Sequence, residues 1–125
     1  MGTFTVRARV SAAGPPSPSI PLDLVADTGA TFTTLPSSVL RSLRVQVERT
    51  LRFALADGSV VERGAGHVRI TLPGGFALSS TTVVFGDEGV FLLGAVTLED
   101  LSLAVDPINK RLVPVEGRLM VVCQK

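Results

Sequence analysis

The residues best placed to do chemistry are Asp27, Thr28 and Gly29, which break an apolar run in "VADTGATFTTLP", Val25 to Pro36. A carboxylate at the end of an apolar strand can activate water if a second carboxyl group lies close enough to share one proton with it. Like charges about 3 Å apart cannot both ionise, so one member of such a pair accepts a proton while the other donates one. Holding the pair requires a tight turn, a backbone that can approach the carboxylate, and a side chain that locks the loop. Asp27, Thr28 and Gly29 supply the acid, a β-branched hydroxyl and a residue with no side chain to obstruct approach. Leu24, Val25, Ala26 and Ala30 would bury the stem of the loop. Read without chemistry, the same residues form a surface turn in which Asp27 bonds its own backbone.

Other reactive side chains offer less. The single histidine, His67, has no second ligand or base in view, and the single cysteine, Cys123, cannot form an internal disulfide. Neither metal nor organic cofactor is expected, and the cysteine usage fits a reducing compartment. Asp57, the neighbours Asp87 and Glu88 in "GDEG", and Asp106 before Pro107 all fall on turn signals and read as solvated turn residues.

These residues must be positioned by one domain spanning 1–125, since 125 residues can bury a core but not two independent ones. Hydrophobic residues make up 46% of the chain, which excludes a disordered tail. Twelve basic and eleven acidic side chains nearly cancel and are scattered, so no field is expected to attract nucleic acid or an anionic membrane. Apolar runs such as "GVFLLGAV" fall short of the roughly 20 residues that cross a bilayer. The opening "MGTFTVRARV" alternates like a strand instead of carrying a signal peptide's apolar stretch. A soluble, cytoplasmic protein is the expectation.

Alternation predicts strands in "TFTVRARV" and "SIPLDLVAD", separated by the Pro- and Gly-dense loop "SAAGPPSPS". From Arg49 to Phe85 a train of strands follows, with Asp57-Gly58 read as a two-residue hairpin turn and Pro73-Gly74-Gly75 as another. "LPSSVLRSL" predicts a short helix with Pro36 at its first position, and "TLEDL" a second with Thr97 as its cap. "LAVDPINKRLVPV" predicts two strands joined by a turn, and "RLMVVC" a further one. The fold class is therefore all-β with two short helices.

An apolar strand running into D-T-G-A, then a hairpin, then an apolar strand ending in glycine before a helix ("VFLLGAVTLEDL") resembles the retropepsin-like aspartic proteases, which include the retroviral proteases. The resemblance spans about Phe4 to Val115, and its most specific parts are "DTGA" and "LLGAVTLEDLSLAVD". It implies a retropepsin-like acid protease barrel with Asp27 as catalytic aspartate, Thr28 bonding across the paired loops, and Gly29 offering backbone groups. It also implies a flap at Ala56, Asp57, Gly58 and Ser59, substrate contacts from Ala30, Thr31 and Leu92, and a strand Leu92 to Gly94 crossing behind the loop. Thr31 stands where retroviral enzymes commonly carry an acid, and the flap tip lacks their glycine run, so substrate binding is expected to differ.

With one D-T-G per chain, the resemblance implies a homodimer in which Asp27 of each copy meets on a two-fold axis. The implied activity is peptide hydrolysis by general acid-base activation of water, on a peptide or protein substrate with apolar residues around the cut. The alternatives are a retropepsin-fold module that binds peptide or dimerises with little hydrolysis, and an unrelated β-sandwich or barrel with Asp27 in a surface turn.

Overall fold

The computed structural model describes residues 3–116. Inward apolar and outward polar side chains alternate along its strands, as a half-buried pleat requires. In β1 (Thr5–Ala12), Ala8 and Val10 are buried while Arg7 and Arg9 face out. The antiparallel β2 (Ile20–Ala26) sets Asp23 opposite Arg7, and the two form an exposed ion pair of 2.6 Å. β3 (Thr33–Pro36) leads directly into α1 (Ser37–Ser42). β4 (Arg49–Ala54), the long β5 (Val60–Leu72) and β6 (Phe76–Gly86) form an antiparallel meander. β7 is only Leu92–Leu93, and it is followed by α2 (Ala95–Asp100) and a hairpin of β8 (Leu103–Asp106) with β9 (Arg111–Pro114).

The large sheet runs β1-β2-β7-β3-β6-β5-β4, and β1 also pairs with β5. That second pairing closes β1, β2, β7, β3, β6 and β5 into a barrel-like ring and leaves β4 outside it, attached among the described residues to β5 alone. Closure removes open edges from the ring strands, the edges that would otherwise template aggregation, while β4 stays an edge strand. Inside lie Leu24, Leu35, Ile70 and Leu93 from four different strands, all fully buried, joined by Leu40 of α1 and Leu98 of α2. The expected all-β class with two short helices is the observed one.

The order β2-β7-β3 matters most for function. β7 lies parallel to β2 (Val25 opposite Leu92) and antiparallel to β3 (Thr34 opposite Leu92). The chain leaving β2 therefore has to pass over the end of β7 to reach β3, and the residues that make this passage are 27–32.

Three local expectations are corrected. Pro36 is not the first helical residue; it ends β3 with φ −57° and ψ 140° and stands just before the helix. The β4–β5 hairpin turns through three residues, Ala56 to Gly58, because Leu55 N–H donates to Ser59 O and Gly58 N–H to Leu55 O. Gly58 takes φ +88°, the left-handed position that closes such a turn. Thr97 is not a cap, as described below. "RLMVVC" and Cys123 lie outside the described residues.

Candidate active site

Asp27 continues the ladder of β2 by one bond, its N–H donating to Leu93 O at 3.2 Å. The chain then turns sharply. Gly29 N–H donates to Asp27 Oδ1 at 2.9 Å, and Ala30 N–H to Asp27 O at 3.1 Å. The carboxylate is thus oriented by its own loop, an Asx-type bond that short acidic side chains make readily. Asp27 is half-buried, whereas Thr28, Gly29 and Thr31 are exposed and Ala30 is intermediate. A Cβ at position 29 would sit 3.1 Å from Asp27 Oδ1, so a side chain there would press on the carboxylate.

Beneath the loop, α2 begins. The first N–H groups of a helix have no intrahelical acceptor. Here Ala95 N–H donates to Ala30 O at 2.8 Å and Val96 N–H to Thr31 O at 2.9 Å, while the capping residue Gly94 offers no side chain. Loop and helix therefore complete each other's hydrogen bonding. This is why the helix starts before Thr97: the carbonyls of the Asp27 loop cap it. Freed from capping, Thr97 turns inward and is fully buried, with its Oγ1 2.6 Å from Thr33 Oγ1 and 2.8 Å from Thr81 Oγ1. Gly94 N–H donates to Thr33 Oγ1 at 3.1 Å.

The β4–β5 hairpin is tied to this loop by one aromatic contact. Phe32 meets Phe53 of β4 edge to face, with ring centroids 6.5 Å apart and planes at 80°. The tip Ala56–Ser59 is exposed and its bonds close on itself: Asp57 Oδ1 accepts from Ser59 Oγ at 2.6 Å and from Ser59 N–H at 2.9 Å. The Ser59 hydroxyl, and then its N–H, hold the Asp57 carboxyl below its ordinary value. A lowered folded value means that the order it lends the tip is present above the ordinary aspartate range and is lost as pH falls through the lowered one. Ser59→Ala removes the larger cause, so the Asp57 carboxyl should titrate nearer its ordinary value in an NMR titration. An unchanged titration would contradict this geometry.

A sequence profile of the family described as aspartyl protease matches residues 8–106. The chain belongs to the aspartyl protease family. Its fold is retropepsin-like. The solution structure of the protease of simian foamy virus (mac) is similar with a TM-score of 0.57 at 16% identity, covering 78% of this chain and 94% of that one. The crystal structure of a retropepsin-like aspartic protease from Rickettsia conorii is similar with a TM-score of 0.52 at 21% identity, covering 84% of this chain and 85% of that one. No curated protein sequence matches the chain.

On this family member the residues singled out from sequence fall in two groups. Asp27, Thr28, Gly29, Ala30 and Thr31 share one loop, and Leu92 is half-buried and pairs with Val25 and Thr34 on the two strands that the loop joins. Ala56, Asp57, Gly58 and Ser59 form the separate hairpin tip. The carbonyls of Ala30 and Thr31 are committed to α2.

Asp106 is a turn residue as expected, accepting from Ile108 N–H, Asn109 N–H and Asn109 Nδ2. Glu88 does more than meet solvent: its carboxylate accepts from Ser38 Oγ at 2.6 Å and Ser38 N–H at 3.3 Å, capping α1 from across the chain. His67 pairs through Nδ1 with Glu48 Oε1 at 2.9 Å on the surface. Sequence reasoning missed Phe32, Phe53, Thr33 and Thr81, and read Thr97 as a helix cap when it is a buried hydrogen-bonding hydroxyl. The edge-to-face pair had a signal in the chain's low aromatic content of 5%, which makes each ring worth tracing. Thr33 and Thr81 had none.

Proposed function

We propose that this chain is an aspartic endopeptidase, active as a homodimer, that hydrolyses peptide bonds with water activated between Asp27 of the two protomers. The observation that carries the reading is Asp27 itself: a half-buried carboxylate at the end of a core strand, oriented by Gly29 N–H in a member of the aspartyl protease family. One such loop per chain is half of a proton-sharing pair, so a second copy is needed. Support for a packing face comes from an open, largely apolar hollow of about 420 Å³ beside the loop, lined by Thr28, Leu98, Leu103, Val105 and Pro107 among others.

In this mechanism the ionised carboxylate takes a proton from the bound water as the water oxygen attacks the scissile carbonyl carbon. The protonated partner donates its hydrogen bond to the carbonyl oxygen, where negative charge develops. The tetrahedral intermediate collapses as the amine leaves with a proton from the pair, and no covalent acyl-enzyme forms. Thr28 would lock the two loops together, and Gly29 would present backbone to pair or peptide. The peptide would lie extended under Ala56–Ser59 against Ala30, Thr31 and Leu92. A second hollow of about 230 Å³ has apolar walls from Phe53, Leu55, Val61, Val84 and Val90, which support a preference for apolar side chains, with the Arg63–Asp87 ion pair also in its lining.

The test is digestion of a complex peptide library at high protein concentration from acidic to neutral pH, read by mass spectrometry. Cleavage specific to the folded protein supports the peptidase; none at any concentration moves the peptide-binding or dimerisation module ahead. A homodimer also predicts that activity per unit protein falls on dilution below the dimer dissociation constant. Constant specific activity across a dilution series over which sedimentation shows the dimer dissociating would rule out catalysis shared between chains.

A further inference from the structure

We propose that Thr97 is a positioning residue for Asp27, acting through the buried hydroxyl chain Thr81, Thr97, Thr33. The proposal rests on the reading of Asp27 as the catalytic carboxylate. The three threonines come from β6, α2 and β3, and they are 3%, 0% and 0% exposed. Thr97 Oγ1 is the middle atom, 2.6 Å from one neighbour and 2.8 Å from the other, and Thr33 Oγ1 accepts Gly94 N–H at its far end.

Stability calls for the Thr33 hydroxyl, which satisfies the buried Gly94 N–H, but not for those of Thr97 and Thr81. Hydroxyl pairs buried among apolar side chains can often be replaced together by apolar groups of the same shape at little net loss. What hydroxyls add is direction: hydrogen bonds fix α2 against β3 and β6 in one register, where methyl groups would allow sliding. The segment they fix is the one that holds the Asp27 loop. Leu93 O accepts Asp27 N–H, and the N–H groups of Ala95 and Val96 hold the carbonyls of Ala30 and Thr31, so 93–97 contacts both limbs of the loop. Thr81 anchors the other end in the ring wall, opposite Val68 of β5. A shift of α2 would therefore move Asp27 relative to its twin across the two-fold axis, where acid-base transfer tolerates little displacement.

Thr97→Val keeps the shape and removes the central hydroxyl; Thr97→Ser keeps the hydroxyl. With a peptide from the library as substrate, Thr97→Val should lower kcat about ten- to hundredfold and leave KM within about threefold, and Thr97→Ser should restore kcat to within about threefold of wild type. A Thr97→Val protein that melts earlier yet keeps wild-type kcat would overturn the proposal, because that is what a purely structural role predicts. Should Thr97→Val fail to fold, Thr81→Val tests the far end of the chain with the same expected direction and the same overturning result. Amide NMR separates the proposal from the reading beneath it. If the wild type cuts nothing, displaced Asp27 and Gly29 amide signals and faster exchange at Ala95 and Val96 in the variant still establish the positioning. Unchanged signals refute it whether or not the protein is a peptidase.

Discussion

Asp27→Asn should lower peptide cleavage about a thousandfold or more while leaving a folded dimer with a melting temperature within about 3 °C of wild type. Asparagine retains an oxygen that can accept Gly29 N–H, the 2.9 Å bond that orients the side chain, so the loop has no reason to move. What it loses is the ability to take or give a proton. In a homodimer one substitution removes both members of the pair, so no partial acid-base route is left. Mixing wild type with excess Asp27→Asn should also suppress activity as mixed dimers form. Retained cleavage in the variant would return Asp27 to the role of a surface turn residue.

The parts of the site that were legible in the sequence are those whose signal is local. A carboxylate, a β-branched hydroxyl and a glycine in succession after an apolar strand describe a loop that needs no distant partner to be recognised. The same holds for Asp106, whose turn is written in the four residues that follow it. Local signals also misled. Thr97 before "LEDL" has the chemistry of a helix cap, yet the cap is supplied by Ala30 O and Thr31 O from far up the chain. Glu88 reads as one more acid in a glycine-flanked loop, and only the fold brings it to Ser38 at the start of α1. Tertiary partners overrule local preference at both helix starts, for the same reason: orphan N–H groups take whichever acceptor lies closest in space.

The hydroxyl chain was illegible for a further reason. Thr33, Thr81 and Thr97 are separated by 64 and 16 residues along the two bonds, and threonine in a strand is unremarkable by itself. Their meeting depends on the ring closing in the order β2-β7-β3-β6, which alternation along single strands does not specify. The fold class, by contrast, follows from that alternation alone. Val68, Ile70 and Leu72 face in while Arg69 and Thr71 face out, and a long strand of this kind needs a covered face wherever it pairs.

Gly94→Ala is expected to damage the fold severely, at about 3 kcal/mol and about 10 °C in melting temperature. Its backbone, φ −90° and ψ 171°, is open to any residue, so conformational freedom is not what the glycine provides. It provides space. A Cβ there would overlap the carbonyl carbon of Phe32 and lie 2.6 Å from both Phe32 O and Thr33 N, all backbone atoms that cannot swing aside. Nor can Gly94 retreat, because Leu93 before it is fully buried and Ala95 after it is bonded to Ala30 O. The overlap must be relieved by lifting the loop at Phe32 and Thr33, which strains the bond from Gly94 N–H to Thr33 Oγ1 and with it the seat of Asp27. Activity should therefore fall at least about tenfold even at temperatures where the variant remains folded. Gly75→Ala is the contrasting case: its φ of +85° imposes strain, but nothing among the described residues lies within 4 Å of the added carbon, so stability should fall by about 1 to 2 kcal/mol and cleavage should not change. Equal losses of activity in the two variants would mean that the loop responds to global stability and not to the close approach at Gly94.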